Sequence, residues 1–556
     1  MAFKQHFVFF WFLAACVGLL SPLCCANSSA FGQQVSPLRL HLCDLNGDGR
    51  STREDVELAV AQVTGGSEAC STADINGDGI CDVVDIHRLT QAAIGHGCWA
   101  AESSAVVIRP GEYIQAIVDA HPSGTAFLLQ EGIHRMQEIR PKNGNTFVGE
   151  PGAVLNGAKL LTNFTRAGQH WMAVGQFQQN QVHGNCMTLN GVPYEACRYA
   201  EDLFVDNVPF WQVTSRDELA PGAWYFDYDK DVIFMADNPA GRTVEVSVRR
   251  HAFAGSAENV TIRGLVIEKY AVPAQYGAIH GVSPDGQTLS RGWVVERNEI
   301  RFNHGLGVKI GHEWQVLGNH IHTNGQLGVG GTGDDTLMEG NVITSNNYAG
   351  FATGWEAGGA KFVRTKNLVV RRNLVADNNG RGLWTDIDNL DTTYEDNRVV
   401  RNRNSGIAHE LSYDARIRNN SVACNGTGYD EWLWGAQILI QNSRNAEVTG
   451  NRVVVCAGAG DGIALVQQER GTGAHGPWVT IGNYVHHNHV TFLGEVGYTG
   501  AAADYDSEGM YGGNNRFDHN TYQLPGPNSV RWTWRGVKPW SAFRSQGQEQ
   551  NGKLEQ

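Results

Sequence analysis

The sequence predicts an all-β solenoid, a stack of short coils, with a small α-helical module in front of it. Three observations predict this: an Asn-centred repeat between Asn298 and Asn488, abundant glycine between short β-branched runs, and two calcium-loop patterns before residue 100. The repeated text is an Asn, a β-branched or apolar residue, a polar stretch, a Gly and a second apolar run. Its Asn positions are Asn298, Asn319, Asn341, Asn373, Asn397, Asn420, Asn451 and Asn488, with four spacings of 21 to 24 residues and three of 31 to 37. One coil cannot bury its apolar face alone, so coils stack and share a core. Equivalent positions on successive coils then form straight rows of side chains, and Asn373, Asn397 and Asn420 read as an internal amide ladder.

The 556 residues exceed one ordinary globule, so more than one domain is expected. The formal charge is −14, the pI is about 5.8 and charged residues make up 18%. No basic stripe is visible, which excludes nucleic acid as a partner. The 67 Gly and 15 Trp suit a turn-rich β protein whose rings serve the core or stack on sugars. Residues 1–26 read as a secretory signal: Lys4, an apolar stretch from Phe7 to Leu20, then Cys24-Cys25-Ala26. No later run is long enough to span a bilayer, so the expectation is a secreted protein without a transmembrane anchor. Cleavage leaves eight of the 11 cysteines. An even number in an exported chain suggests disulfides, and local pairing gives Cys43–Cys70, Cys81–Cys98, Cys186–Cys197 and Cys424–Cys456.

Two segments carry the calcium-loop pattern. Asp44, Asn46 and Asp48 with Gly49 and Asp55, and Asp74, Asn76 and Asp78 with Gly79 and Asp85, put oxygen ligands at loop positions 1, 3, 5 and 12 and Gly at 6. Arg50 and Ile80 add a backbone carbonyl at position 7. Ca²⁺ takes six to eight oxygens, which this set supplies. One helix is expected after each loop, Val56–Val63 and Val84–Ile94. The duplicated loop-plus-helix over 39–99 resembles the dockerin family, which implies two calcium ions and a cohesin-type receptor. The alternative is a calcium-folded spacer.

After a short linker, Val106-Val107-Ile108 leads into an amphipathic helix, Glu112–Ala120, and then strand text at 124–134. This opening resembles right-handed parallel β-helix proteins of the pectin-lyase type, where such a helix covers the first open coil. Residues 160–250 break the period. Leu219-Ala220-Pro221-Gly222-Ala223-Trp224-Tyr225-Phe226 and Val232-Ile233-Phe234-Met235 resemble an inserted β-subdomain of β-helix glycosidases. Trp532, Trp534, Gly536, Trp540 and Gly547 resemble their closing segment. The expected organisation is a solenoid over 106–530 and a capping segment and tail over 531–556.

Aligning the second apolar runs sets Gly305-Leu306 and Gly350-Phe351 against Gly382-Leu383-Trp384-Thr385-Asp386-Ile387-Asp388 and Gly406-Ile407-Ala408-His409-Glu410-Leu411. Strand side chains alternate. With Leu383, Thr385 and Ile387 inward, Trp384, Asp386 and Asp388 face out, and Glu410 faces out beside Asp386. His409 is read as an inward residue satisfied by backbone. Glu356 is expected to flank Asp388. Carboxylates crowded this way raise at least one pKa, which suits glycoside hydrolysis, where one carboxyl stays protonated and another stays ionised. Gly382-Leu383-Trp384-Thr385-Asp386 and His409-Glu410-Leu411-Ser412 also resemble the acid-bearing coils of β-helix glycosidases. That implies Asp386 and Glu410 as the catalytic pair on a polysaccharide, with Asp388 and Glu356 supporting. Trp384, Trp355, Tyr413, Trp432 and Trp434 are candidates to stack on sugars, with Gln441, Gln467 and Gln468 to hold hydroxyls.

Two other classes fit the same residues. Asp386-x-Asp388 with Glu410-x-x-x-Asp414 resembles the calcium ligands of pectate lyases, where Lys361, Arg364 or Arg381 would supply the base. The third class is a non-catalytic carbohydrate-binding solenoid.

Overall fold

The computed structural model describes residues 43, 45, 52–64, 86, 89 and 105–555, except 190, 429–431 and 459. The chain divides into two compact units, residues 1–100 and 101–556.

In the first unit the helix expected after the first calcium-loop pattern runs Arg53–Thr64, starting three residues earlier than expected. The Asp55 carboxylate is fully buried and accepts the backbone N–H groups of Leu45 and Thr52, both at 2.7 Å. These are positions 2 and 9 of the loop that Asp55 closes. Cys43 is disulfide-bonded to a cysteine outside the described residues. The other expected ligands (Asp44, Asn46, Asp48, Arg50, Asp74, Asn76, Asp78, Ile80, Asp85), the expected second helix, the expected pairs through Cys70, Cys81 and Cys98, and the expected signal segment 1–26 also lie outside them.

The second unit is a solenoid of three long sheets. Two have 13 strands and the third has 12, and almost all neighbours pair in parallel in chain order. Each coil gives one short strand to each sheet. Inward positions form stacked apolar columns, such as Val370, Tyr394 and Ile417 in the first sheet and Val375, Val399 and Val422 in the second, all fully buried. The helix at the entrance runs Ile114–Ala120 and buries Ile114 and Val118 in that core.

The repeated Asn forms the predicted ladder. Asn397 Oδ1 accepts from the backbone N–H and the side-chain amide of Asn373, both at 3.0 Å, while its own amide reaches Val370 O and Asn420 Oδ1. A second ladder, Asn303, Asn324, Asn346, Asn378, Asn402 and Asn425, runs five residues further along each coil. It explains the repeated glycine. A Cβ on Gly359, Gly382 or Gly406 would stand 3.2, 2.8 or 2.7 Å from the amide nitrogen of Asn378, Asn402 or Asn425.

Between Ala158 and Ser247 the chain leaves the solenoid and builds two antiparallel-rich sheets around Leu203, Trp224, Ile233 and Val246. This is the expected insertion. The Cys186–Cys197 and Cys424–Cys456 disulfides form as local pairing predicts. At the far end Trp532, Trp534 and Phe543 join the main core. The expected tail is partly structured, because Lys553–Glu555 adds a parallel strand beside Thr521–Gln523.

Candidate active site

The third sheet carries the acids. Strand Arg381–Asp386 lies between Gly358–Val363 and Ile407–Glu410. Asp386 pairs in register with Glu410, and Glu410 with Gln441, so the three stand side by side at the same strand end. Directly after each strand the chain turns through a left-handed residue: Ile387 at φ 60°, Leu411 at 48° and Asn442 at 46°. A β-branched Ile in this region is strained. A short polar column fixes the turn. Asn389 donates to Asp386 O at 2.9 Å, Ser412 to Glu410 O at 2.7 Å and Ser443 to Gln441 O at 2.9 Å.

Asp386 and Glu410 point away from the core into a cleft of about 290 Å³ lined by Gly354, Trp384, Trp434, Gln468 and Arg470 among others. Both are largely covered, at 6% and 4% exposure. Lys361 Nζ stands 2.9 Å from Asp386 Oδ2. Glu410 takes Arg381 at 2.6 Å and Trp384 Nε1 at 3.1 Å on Oε2, and Arg470 at 2.9 Å on Oε1. Burial and the Glu410 charge raise the Asp386 pKa, with Lys361 only partly offsetting them. Burial would also raise Glu410, but its two arginines hold it below the usual value. The two acids are therefore pushed in opposite directions, Asp386 toward its protonated form and Glu410 toward its ionised one. Two buried acceptors in the cleft, Asp386 Oδ1 and Gln441 Oε1, have no protein partner. A ligand hydroxyl would satisfy either.

The remaining expected residues have other tasks. Asp388 Oδ1 accepts from Ala474 N at 3.0 Å, Trp478 Nε1 at 3.1 Å and Tyr413 OH at 3.3 Å, so it pins the hairpin Thr472–Gly473/Gly476–Pro477. A Cβ on Gly473 would lie 1.9 Å from that carboxylate oxygen, so only glycine lets the hairpin approach. The segment entering the hairpin brings Arg470 to Glu410. Glu356 does not flank Asp388. It accepts from Gln275 at 2.7 Å and does not line the cleft. The cause is a register error. Gly350-Phe351 is not a coil strand; it pairs antiparallel with the insertion at Cys186, and the true third-sheet strand begins at Gly358. Leu306 likewise pairs, through Leu327 and Gly358, with Arg381 rather than Leu383.

Trp384 is not a free platform, because it is buried with Lys361 and Arg381 over its ring at 3.9 and 4.0 Å. Trp355 packs against Phe351 and His183. Tyr413 is buried under the hairpin, bonded to Gly476 O at 2.7 Å. Gln467 is buried too. It accepts from Thr480 N and donates to Tyr505 O and Asp506 O, leaving nothing for a sugar. Of the eight predicted substrate residues, Trp434, Gln441 and Gln468 line the cleft beside the cation-capped Trp384. His409 faces inward and burial keeps it neutral, with its pKa near 3, but its partner is the Thr385 hydroxyl at 2.8 Å rather than backbone. Asp414 bonds to Asn445. Among the described residues, Asp386, Asp388, Glu410 and Asp414 do not bring three ligand atoms together.

Sequence reading missed Arg470, which lies 60 residues from Glu410 on a loop with no repeat signal. It also missed the roles of Lys361 and Arg381 as counter-ions, although both were in view as bases.

A family described as "Right handed beta helix region" matches residues 281–453. The solenoid is a right-handed parallel β-helix. The solved complex of XylC with xylose is similar over 80% of this chain and 82% of that one, at 16% identity and TM-score 0.60. The A-module of Azotobacter vinelandii mannuronan C-5 epimerase AlgE6 aligns over 80% and 93%, at 13% identity and TM-score 0.43. No curated protein matches the chain. Among the described residues no helix is long and apolar enough to cross a membrane.

Proposed function

We propose that this protein is a secreted glycoside hydrolase acting on a polysaccharide or oligosaccharide, with Asp386 and Glu410 as its catalytic pair. One observation carries the reading: two outward carboxylates sit in register on adjacent strands, one pushed toward its protonated form and the other held ionised. Adjacent strands lie about 4.8 Å apart at the backbone, so the two carboxyls project from neighbouring coils, and we propose the retaining route, which uses closely spaced carboxyls. Glu410 attacks the anomeric carbon while Asp386 gives its proton to the leaving glycosidic oxygen. Asp386, now anionic, then takes a proton from the water that cleaves the glycosyl–Glu410 ester. Arg381 and Arg470 orient Glu410, and Lys361 steadies Asp386 once it is charged. Gln441 Oε1 accepts from a sugar hydroxyl.

The calcium-dependent lyase reading draws no support from this arrangement, because Asp388 and Asp414 are committed elsewhere and Glu410 is already neutralised by two arginines. We also propose that the N-terminal loops bind two calcium ions. Asp55 fits this, since its buried carboxylate already faces the amides of its own loop. A cohesin-type receptor remains the partner that the dockerin resemblance implies.

The test is turnover of a glycan panel by the full chain in calcium. Xylo-oligosaccharides head the panel because XylC was solved with xylose, and a polyuronate is included. Reducing ends without ultraviolet-absorbing product support the hydrolase. An unsaturated product shows a lyase, and binding without turnover shows a lectin-like solenoid; either would overturn the proposal.

A further inference from the structure

We propose that Glu299, His320 and His322 form a transition-metal site that clamps two successive coils on the second sheet, apart from the carboxylate cleft on the third. His320 and His322 occupy positions i and i+2 of strand His320–His322, so both project from the same outer face. Glu299 stands directly opposite His320 on the preceding coil. One ligand atom from each of the three residues falls within 4.8 Å of the other two, and among the described residues no other trio of His, Cys, Asp or Glu does this.

The surroundings prepare the ligands. The imidazoles stack at 4.1 Å, a close pairing that disfavours charge on both rings. His322 Nδ1 meets the Thr323 hydroxyl at 3.1 Å, which leaves Nε2 turned toward Glu299 Oε1, also at 3.1 Å. A metal-ligating histidine is commonly fixed in this way by a partner on its other nitrogen. Arg301 donates to the same Glu299 oxygen at 2.6 Å and is held in turn by Glu268 at 2.9 Å. Arg301 thereby orients the Glu299 carboxylate that faces His322.

Two imidazoles and one carboxylate suit Zn²⁺, Co²⁺ or Ni²⁺ and not Ca²⁺, which takes oxygen ligands. Three protein ligands leave coordination positions for water. Bound metal ties the Glu299 coil to the His320 coil, and so supports the stack early in the run that leads to the cleft.

The test titrates Co²⁺ and then Zn²⁺ into the untagged full chain with its calcium sites saturated. Visible d–d absorption saturating at one equivalent of Co²⁺, bleached by Zn²⁺, is expected in the wild type, with a rise in Tm on adding Zn²⁺. His320→Asn/His322→Asn should lose both signals. Glu299→Gln, a milder change, should weaken Co²⁺ affinity at least tenfold. Absent d–d bands, or equal Co²⁺ binding in the wild type and the double variant, overturns the proposal.

Discussion

Asp386 lies directly opposite Glu410 on the adjoining strand, yet the two carboxylates do not share their cations equally. Glu410 has two arginines and an indole N–H; Asp386 has one lysine and a bare oxygen. That imbalance pushes the pKa values of two chemically similar groups in opposite directions.

Removing either member should stop turnover. Asp386→Asn and Glu410→Gln are each expected to lower kcat/KM on a natural glycan by a factor of about 10² to 10⁴. The roles separate with an activated aryl glycoside, whose leaving group needs no proton. On that substrate Asp386→Asn should keep far more activity than Glu410→Gln. The reverse order would exchange the roles.

The pH profile should be bell-shaped, with the acid limb set by Glu410 and the alkaline limb by Asp386. Arg470→Gln removes a positive charge that favours ionised Glu410. Its pKa then rises, and the acid limb should move to higher pH. Lys361→Met removes the cation opposing Asp386 protonation, so the alkaline limb should also move up. A profile unchanged in both variants would detach these limbs from the pair.

Asp388 is expected to position the hairpin and not to react. Asp388→Ala leaves the Ala474 N–H and the Trp478 indole without their acceptor, at a cost of about 1–3 kcal/mol. Proteolysis within 471–478 should accelerate and KM should rise. Asp388→Asn keeps an acceptor oxygen, and its kcat should stay within tenfold of wild type.

Stability should depend on Glu549, which caps the long amide ladder by accepting from Asn520 at 2.6 Å and Tyr522 OH at 2.8 Å. Burial raises its pKa to about 7 from 4.5. The folded state therefore binds the proton more tightly than the unfolded chain. The resulting stabilisation is full below about pH 4.5 and is lost as the pH rises through about 7. Asp461, also raised to about 7 by burial, acts in the same direction. Glu549→Gln should shrink the fall in Tm between pH 5 and pH 8, as read by thermal unfolding.

Within the ladder, Asn397→Ala leaves the backbone N–H of Asn373 without its acceptor and takes a donor from the carbonyl of Val370, while the Asn373 amide keeps Met338 O and Arg371 O. A buried unsatisfied group costs about 1–3 kcal/mol, so a loss of about that size is expected in denaturant unfolding. Substituting the exposed Asn367, which bonds only Asp335 across coils, should cost far less.

Sequence alone determined the coil architecture, the first amide ladder, the insertion, two disulfides and the pairing of Asp386 with Glu410. The coils, the ladder and the acid pair follow from local periodicity, because a repeated coil places equal positions side by side; the insertion shows as a break in that period and the disulfides as local cysteine pairs. Register failed at Gly350 and Glu356 because the long excess there repeats the coil's Gly-apolar text in a loop that pairs with the insertion. What only the tertiary structure decided is which side chains stay free. Trp384, Tyr413, Gln467 and Asp388 look like sugar-facing groups in one dimension, but cations and loops distant in sequence occupy them. Arg470 reaches Glu410 through a hairpin outside the repeat, and no spacing rule encodes a contact made by chain that leaves the period.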